Sequence, residues 1–261
     1  MQRITTRTFA VDSKDRPVTA ARKIKVVVSR VDTYEETVAS LLRRVIENAQ
    51  EQGKEAHVAL TGGKTAEAVY RHWSTHPDPP KPPLAIYLSD ERCVPIHHSG
   101  SNHGMVRRSL FSNSLPAGIR MVVPDVSDPR AAAREYDQRL PSTFDLLLFT
   151  LGADGHFASL FPGELRSQAQ AGRVAATVGP PPFTDRVSLT VEALHTAREI
   201  VVLARGRRKG ELIWKMVSES PNVDDCPAAA LLGYTWVLDE EAAFAFNEAA
   251  ESSISSETVH R

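Results

Sequence analysis

Residues Asp145–Gly163 read DLLLFTLGADGHFASLFPG, and this stretch decides the fold. Its apolar run, Leu146–Leu151, has the length and composition of a strand buried on both faces. The run stops at Gly152, and Asp154-Gly155-His156 follows, placing a carboxylate and an imidazole just past the strand's carboxyl end. In open α/β sheets ligands bind in that crevice, and histidine is the side chain best poised for proton transfer near neutral pH. A lone histidine at a strand end is more often structural. The adjacent aspartate and the flanking glycines favour catalysis, with Asp154 and His156 as the candidate pair.

The rest of the chain supplies the other strands and helices. Ile24–Val28 is β-branched and reads as a strand, and Val38, Leu41, Leu42, Val45, Ile46 and Ala49 recur at helical spacing up to Gly53. His57–Leu60 and Leu84–Leu88 are short strands, with helical composition over Ala66–Trp73 and a proline-rich loop over His76–Pro83 between them. Helices are expected over Gly104–Phe111, Pro129–Leu140 and Glu211–Ser218, and further strands over Arg186–Thr190, Ile200–Leu203 and Thr235–Leu238. Strands alternating with helix-length segments imply βαβ units and a mostly parallel sheet flanked by helices, an α/β fold. An N-terminal arm over 1–22, an α/β domain over 23–247 and a frayed Ser- and Glu-rich tail over 248–261 complete the organisation.

Composition narrows the function. With 261 residues, 42% of them hydrophobic, the chain can bury one large core or two closely packed lobes. A net charge of −1 with dispersed lysines and arginines gives no basis for nucleic-acid or membrane binding. Cys93 and Cys226 make neither a disulfide framework nor a metal spacing. No segment reaches the roughly 18–20 consecutive apolar residues of a membrane span, and the first residues lack the apolar core of a secretory signal. A cytoplasmic protein is expected.

Three further loops sit at strand ends. Thr61-Gly62-Gly63-Lys64-Thr65 lies between a strand and a helix, where glycines admit close approach and the helix N-terminus offers free N–H groups to an anion. The P-loop spacing is absent, and a plain tight turn is the alternative. Asp90-Glu91-Arg92 follows the next strand, and Arg92 either forks onto an anion or pairs with its acidic neighbours to order the loop. Ser101-Asn102 suits a helix cap. Lys209 lies past Ile200–Leu203 on the same rim, within a cluster, Arg205–Lys209, whose arginines read as solvated. His97, His98 and His103 match no zinc pattern, Cys93 reads as a packed small hydrophobe, Ser159 as a cap on its turn, and no G-x-S-x-G elbow is present.

These segments, in this order, resemble the 6-phosphogluconolactonase family. Leu60–Thr65 resembles its S-G-G-[ST]-T-P loop, Ser89–Pro95 with Ser101-Asn102 its D-E-R-x-V-P…S-N segment, and Gly152–Gly163 its specific G-x-D-G-H-x-A-S-L-F-P-G signature. Arg186–Thr190, Gly206–Ile213, Pro227-Ala228 and Trp236–Asp239 resemble its later motifs, so the likeness spans roughly residues 25–245. Lys64 stands where the family has Ser or Thr, Ala66 where it has Pro, Thr150 where it often has Gly, and the Ile96–Gly100 loop is unusual.

The resemblance implies a sugar-isomerase-like, Rossmann-like sandwich with a smaller appended subdomain, shared with glucosamine-6-phosphate deaminases and ribose-5-phosphate isomerases. It implies hydrolysis of 6-phospho-D-glucono-1,5-lactone in the oxidative pentose phosphate pathway, with no metal or organic cofactor. The expected partner is that phosphorylated sugar lactone, and the expected state is a monomer or weak homo-oligomer. His156 would then activate water and Asp154 would orient the imidazole or the substrate. Gly62, Gly63, Lys64 and Thr65 would receive the substrate or its phosphate, with Arg92 and Lys209 adding positive charge. The competing readings are an amino-sugar-phosphate deaminase or isomerase of the same superfold and a catalytically silent sugar-phosphate binder. The Phe157–Pro162 continuation follows the lactonase pattern.

Overall fold

The computed structural model describes residues 24–165 and 172–258. The arm expected over 1–22 lies outside the described residues. Lys25–Ser29 forms β1, and α1 (Tyr34–Glu51) buries Val38, Leu42, Ile46 and Ala49 along one stripe. The chain leaves that helix through Gly53 at φ +72°. β2 (Ala56–Leu60), α2 (Lys64–Ser74), β3 (Leu84–Leu88), β4 (Asp90–Arg92) and α3 (Asn102–Phe111) follow. Next come β5 (Ile119–Val122), α4 (Pro129–Arg139), β6 (Phe144–Thr150), β7 (Val174–Val178), β8 (Asp185–Leu189) and β9 (Ala197–Ala204). The chain closes with α5 (Arg207–Glu219), β10 (Thr235–Asp239) and α6 (Glu240–Thr258).

Seven strands form one sheet in the order β1-β10-β9-β6-β2-β3-β5, and every neighbouring pair is parallel. β6 occupies the centre. Leu147 and Phe149 enter one core while Leu146 and Leu148 enter the other, as expected of a strand covered on both faces. Fully burying each such side chain contributes roughly 1.5–3 kcal/mol. The first core takes Tyr136 from α4, Ile213 from α5 and Phe246 from α6. The second takes Leu42 from α1, Tyr70 from α2 and Val106 from α3.

A second, antiparallel sheet, β4-β8-β7, packs its Val174 and Val187 into the first core. It is the smaller appended unit, and two of its strands, β4 and β7, have no counterpart in the sequence reading. β4 is the triplet Asp-Glu-Arg, which carries no apolar pattern. The reading also lacks β5, only four residues long, and α6.

The frayed tail expected from Glu248 is corrected in part, because α6 runs on to Thr258. Among its described side chains the buried ones are mostly small: Ala242, Ala243 and Ala245 beside Phe246. Small residues let α6 lie close on α5, and a Cβ built on Gly210 would fall 2.0 Å from the Ala242 carbonyl oxygen. Gly210→Ala is therefore expected to lower stability by about 1–3 kcal/mol through overpacking. A urea midpoint unchanged from wild type would contradict this close approach.

Candidate active site

β6 lies between β9 and β2. The helix after β2 covers one face of the sheet, and the helix after β9 covers the other. Where successive connections diverge to opposite faces, a crevice opens at the carboxyl ends of the strands. All strands of this sheet being parallel, the loops after β2, β3, β6 and β9 share that edge. In these loops or at the start of the element that follows each lie Gly62, Gly63, Lys64 and Thr65; Arg92; Asp154 and His156; and Lys209 respectively. The structure thus assembles every sequence-predicted site residue on four adjacent strand ends.

The loop after β6 is a tight turn closed by the Gly152 amide donating to the His156 carbonyl at 2.7 Å. Asp154 Oδ1 accepts from the His156 amide at 3.1 Å and lies 2.5 Å from His156 Nδ1. Burial disfavours the Asp154 carboxylate, yet the His156 amide and imidazole outweigh it and hold its pKa below the ordinary value. An ionised carboxylate only accepts, so the bridging hydrogen belongs to Nδ1, and Nε2 of the neutral ring keeps its lone pair.

Two glycines make this geometry possible. A Cβ on Gly152 would sit 2.2 Å from His156 Nδ1. Gly155 has φ +87°, and a Cβ there would sit 2.6 Å from Cys226 Sγ. The turn also rests on the segment after α5, since the Ala228 amide donates to the Gly155 carbonyl at 2.9 Å. On the open side the His156 ring lies against Phe161, with centroids 4.7 Å apart.

In the loop after β2, Gly63 has φ +96° and precedes α2 without a side-chain cap. The first-turn amides of α2 are accordingly left for another acceptor. Tyr70 fixes the approach, its hydroxyl donating to the Thr61 carbonyl at 2.9 Å. Gly62 backs onto Asn102, whose Oδ1 would lie 2.1 Å from a Cβ at that position. Lys64 is exposed. After β9, Gly206 repeats the arrangement, with φ +82° and no side-chain cap on α5. Lys209 lies in the first turn of that helix. Burial lowers its ammonium pKa, and the nearby Asp154 charge opposes the shift.

The basic residues of this run separate into two roles. Arg205 is not a solvated residue: it pairs with Glu35 at 2.6 Å and Asp239 at 3.6 Å and lies 4.7 Å over the Tyr34 ring. Asp239 also accepts from the Gly206 and Ala242 amides, each at 2.9 Å. Arg205 therefore fixes the start of α5 to α1 and β10, whereas Lys209 feels the charge of Asp154.

At the end of β3 the acidic residues are occupied by structure. Glu91, 2% exposed, accepts from the Arg92, Asn102 and His103 amides, each at 2.7 Å, and from Ser101 Oγ at 3.1 Å. Burial raises its pKa against those hydrogen bonds. Ser101 Oγ also accepts from the Gly104 amide at 3.0 Å, which confirms the cap. Asn102 Nδ2 donates to the Asp90 carbonyl at 2.8 Å. Ser159 does not merely cap its own turn, because its Oγ donates to Asp90 Oδ2 at 2.7 Å and ties the signature loop to β4.

Arg92 has no ion pair with Asp90 or Glu91 among the described residues. Its Nη1 donates to the Gly100 carbonyl at 2.8 Å. His98 helps hold that loop, its Nδ1 accepting from the Gly100 amide at 2.9 Å and its ring packing edge-on to Phe183. Burial pushes the Cys93 thiol up to about 11, so it is inert at neutral pH. Among the described residues no group of three or more His, Cys, Asp or Glu side chains is placed to hold a metal.

An α/β sheet with a histidine–aspartate pair at its switch point and two uncapped helix N-termini beside it defines a site for a small anionic ligand. The profile of the family described as glucosamine-6-phosphate isomerases/6-phosphogluconolactonase matches residues 29–237, and the chain belongs to that family. It is 30% identical over 215 residues to a 6-phosphogluconolactonase of Treponema pallidum, covering 77% of this chain and 86% of the relative. The crystal structure of a Thermotoga maritima 6-phosphogluconolactonase is 28% identical, with TM-score 0.69, and the match covers 83% of this chain and 100% of that one. A monomeric glucosamine-6-phosphate deaminase shares the fold at TM-score 0.68 and 21% identity, covering 85% of this chain and 100% of its own.

Gly152→Ala tests the turn. The nearest atoms its added methyl meets are those of the imidazole, so the fold is expected to survive while His156 is displaced. If His156 is the base, turnover falls by about 10²-fold or more. Full activity in a folded Gly152→Ala protein would contradict the placement.

Proposed function

We propose that this chain hydrolyses 6-phospho-D-glucono-1,5-lactone to 6-phosphogluconate, with His156 as general base. The observation that carries the reading is the 2.5 Å approach of His156 Nδ1 to an ionised Asp154, which leaves Nε2 free to take a proton. Asp154 orients the ring and stabilises the imidazolium that forms. A water oxygen adds to the lactone C1 while its proton passes to Nε2. The tetrahedral oxyanion then collapses, the C1–ring-oxygen bond breaks, and the ring oxygen takes the proton back from the imidazolium. The new carboxylic acid ionises, releasing one proton to solvent. The δ-lactone is already an activated ester, so no covalent nucleophile is needed.

The phosphate dianion is seated by the uncapped N-termini of α2 and α5, backed by Lys209 and Lys64. Both helix starts follow a glycine with positive φ, so no side chain blocks the approach of an anion. The curated relatives support the lactonase over the deaminase, which the fold alone does not distinguish. No helix among the described residues is long and apolar enough to cross a membrane. The expected setting is the cytoplasm, with the protein acting as a monomer or weak homo-oligomer.

Proton release from freshly generated 6-phosphogluconolactone tests the reading. Wild type is expected to outrun spontaneous hydrolysis, and His156→Ala to lose about 10²–10⁴-fold in kcat. Lys209→Met is expected to raise KM more than it lowers kcat. Wild type that merely follows the spontaneous rate would overturn the assignment.

A further inference from the structure

The small sheet carries a row of charged and polar side chains on one face. Arg92 of β4 stands directly opposite Arg186 of β8, and Arg186 stands directly opposite Thr177 of β7. Directly paired residues in antiparallel strands project from the same face. The row Arg92–Arg186–Thr177 therefore runs across one face, alongside Asp90 and Ser188, which are paired two residues away. That face meets the signature loop: the Ser159 amide donates to Ser188 Oγ at 3.0 Å, and Arg186 Nη1 donates to Ser159 Oγ at 3.3 Å.

Like charges placed directly opposite in a sheet are destabilising, and here the two guanidiniums are close enough to perturb one another. Arg186 is only 7% exposed, and neither arginine forms a salt bridge with a carboxylate among the described residues. Asp90, the nearby acid, is already engaged by Ser159 and Asn102. Arg186 spends Nε on the Phe183 carbonyl at 2.9 Å, and its side chain passes over Gly179, where a Cβ would lie 2.1 Å from Nε. Among the described residues, two buried side-chain polar atoms lack a hydrogen-bond partner, Arg92 Nε and Thr177 Oγ1. Both flank Arg186 in this one row. Buried polar atoms are rarely orphaned without a reason.

We propose that Arg186 acts with Arg92 as a second anion pole of the site, binding the lactone carbonyl oxygen as it becomes an oxyanion and then the product carboxylate. This rests on the lactonase reading above. The row adjoins the reacting side because the Phe161 ring touches both groups, the His156 ring at 4.7 Å and the Arg186 guanidinium at 5.4 Å. Lys209, by contrast, is linked to the Asp154 side of the same pair. The phosphate already has two helix N-termini and that lysine. Planar guanidinium forks match a carboxylate bidentately. The substrate thus lies across His156, with its phosphate toward α2 and α5 and its C1 toward the small sheet.

Calorimetric titration of the full chain with two ligands tests this, using 6-phosphogluconate, which has phosphate and carboxylate, and glucitol 6-phosphate, which has phosphate alone. Wild type is expected to prefer 6-phosphogluconate. Arg186→Lys, which keeps the charge and loses the fork, is expected to remove about tenfold or more of that preference, the ~1.4 kcal/mol of one guanidinium hydrogen bond to a charged group. Its glucitol 6-phosphate affinity should stay near wild type, and kcat should fall with little change in KM. Arg92→Lys repeats the test should Arg186→Lys fail to fold, as judged by thermal melting. Equal loss of both ligands, an unchanged preference, or no preference in wild type would overturn the proposal. Wild type that binds both ligands yet hydrolyses no lactone would sink the lactonase reading, while the binding comparison still decides the role of Arg186.

Discussion

The parallel direction of all seven strands in the large sheet is the constraint on which the site depends. It puts the loops after β2, β3, β6 and β9 on one edge. The divergence of α2 and α5 to opposite faces then leaves β6 at the bottom of the resulting crevice. A parallel sheet must be covered on both faces, which is why the middle of β6, Leu146–Phe149, is apolar and cannot itself carry chemistry. The polar groups wait until the strand ends at Thr150. Asp154 and His156 stand where two half-cores meet, supported from behind by Cys226 and Ala228.

Around that pair the charges fall into two sets. Glu91, Asp90 and Asp239 are buried and saturated with amide, amide-side-chain and hydroxyl donors, and their task is to hold helix starts and loops in place. Arg205 belongs to the same structural set. Arg92, Arg186 and Lys209 are left without carboxylate salt-bridge partners among the described residues, and Arg186 touches Ser159 of the signature loop. Burying an unpaired cation is unfavourable, so the buried Arg186 costs stability where it stands. At the glycines before α2 and α5, a capping side chain would have used up the amides.

How much of this the sequence discloses depends on the kind of signal each element carries. β2, β3, β6, β9 and β10 are legible because they are apolar runs, and the residues beyond them inherit a position at the sheet's carboxyl edge. His156, Asp154, Lys209 and the Gly62-Gly63 loop are readable on that ground. β4 is not, since Asp90, Glu91 and Arg92 are buried by hydrogen bonding rather than by hydrophobicity. Arg186 could be seen only as part of a strand, because its meaning comes from pairing with Arg92 across a long sequence separation. Arg205 and Lys209 lie close together in one basic run, and only the placement of Glu35 and Asp239 separates the structural residue from the one at the site. α6 escaped for a different reason: its packed face is alanine, which leaves little hydrophobic periodicity to read.

The central claim is that Asp154 fixes the neutral imidazole of His156 with hydrogen on Nδ1 and the lone pair on Nε2. Nitrogen-15 NMR of the histidine rings at neutral pH, with His156→Ala to assign the signal, measures this directly. A pyrrole-type Nδ1 and a pyridine-type Nε2 are expected for His156, with a shift toward the mixed-tautomer pattern in Asp154→Asn. A protonated Nε2 in the neutral wild-type ring would contradict the account, because the proposed base would then have no lone pair to offer water.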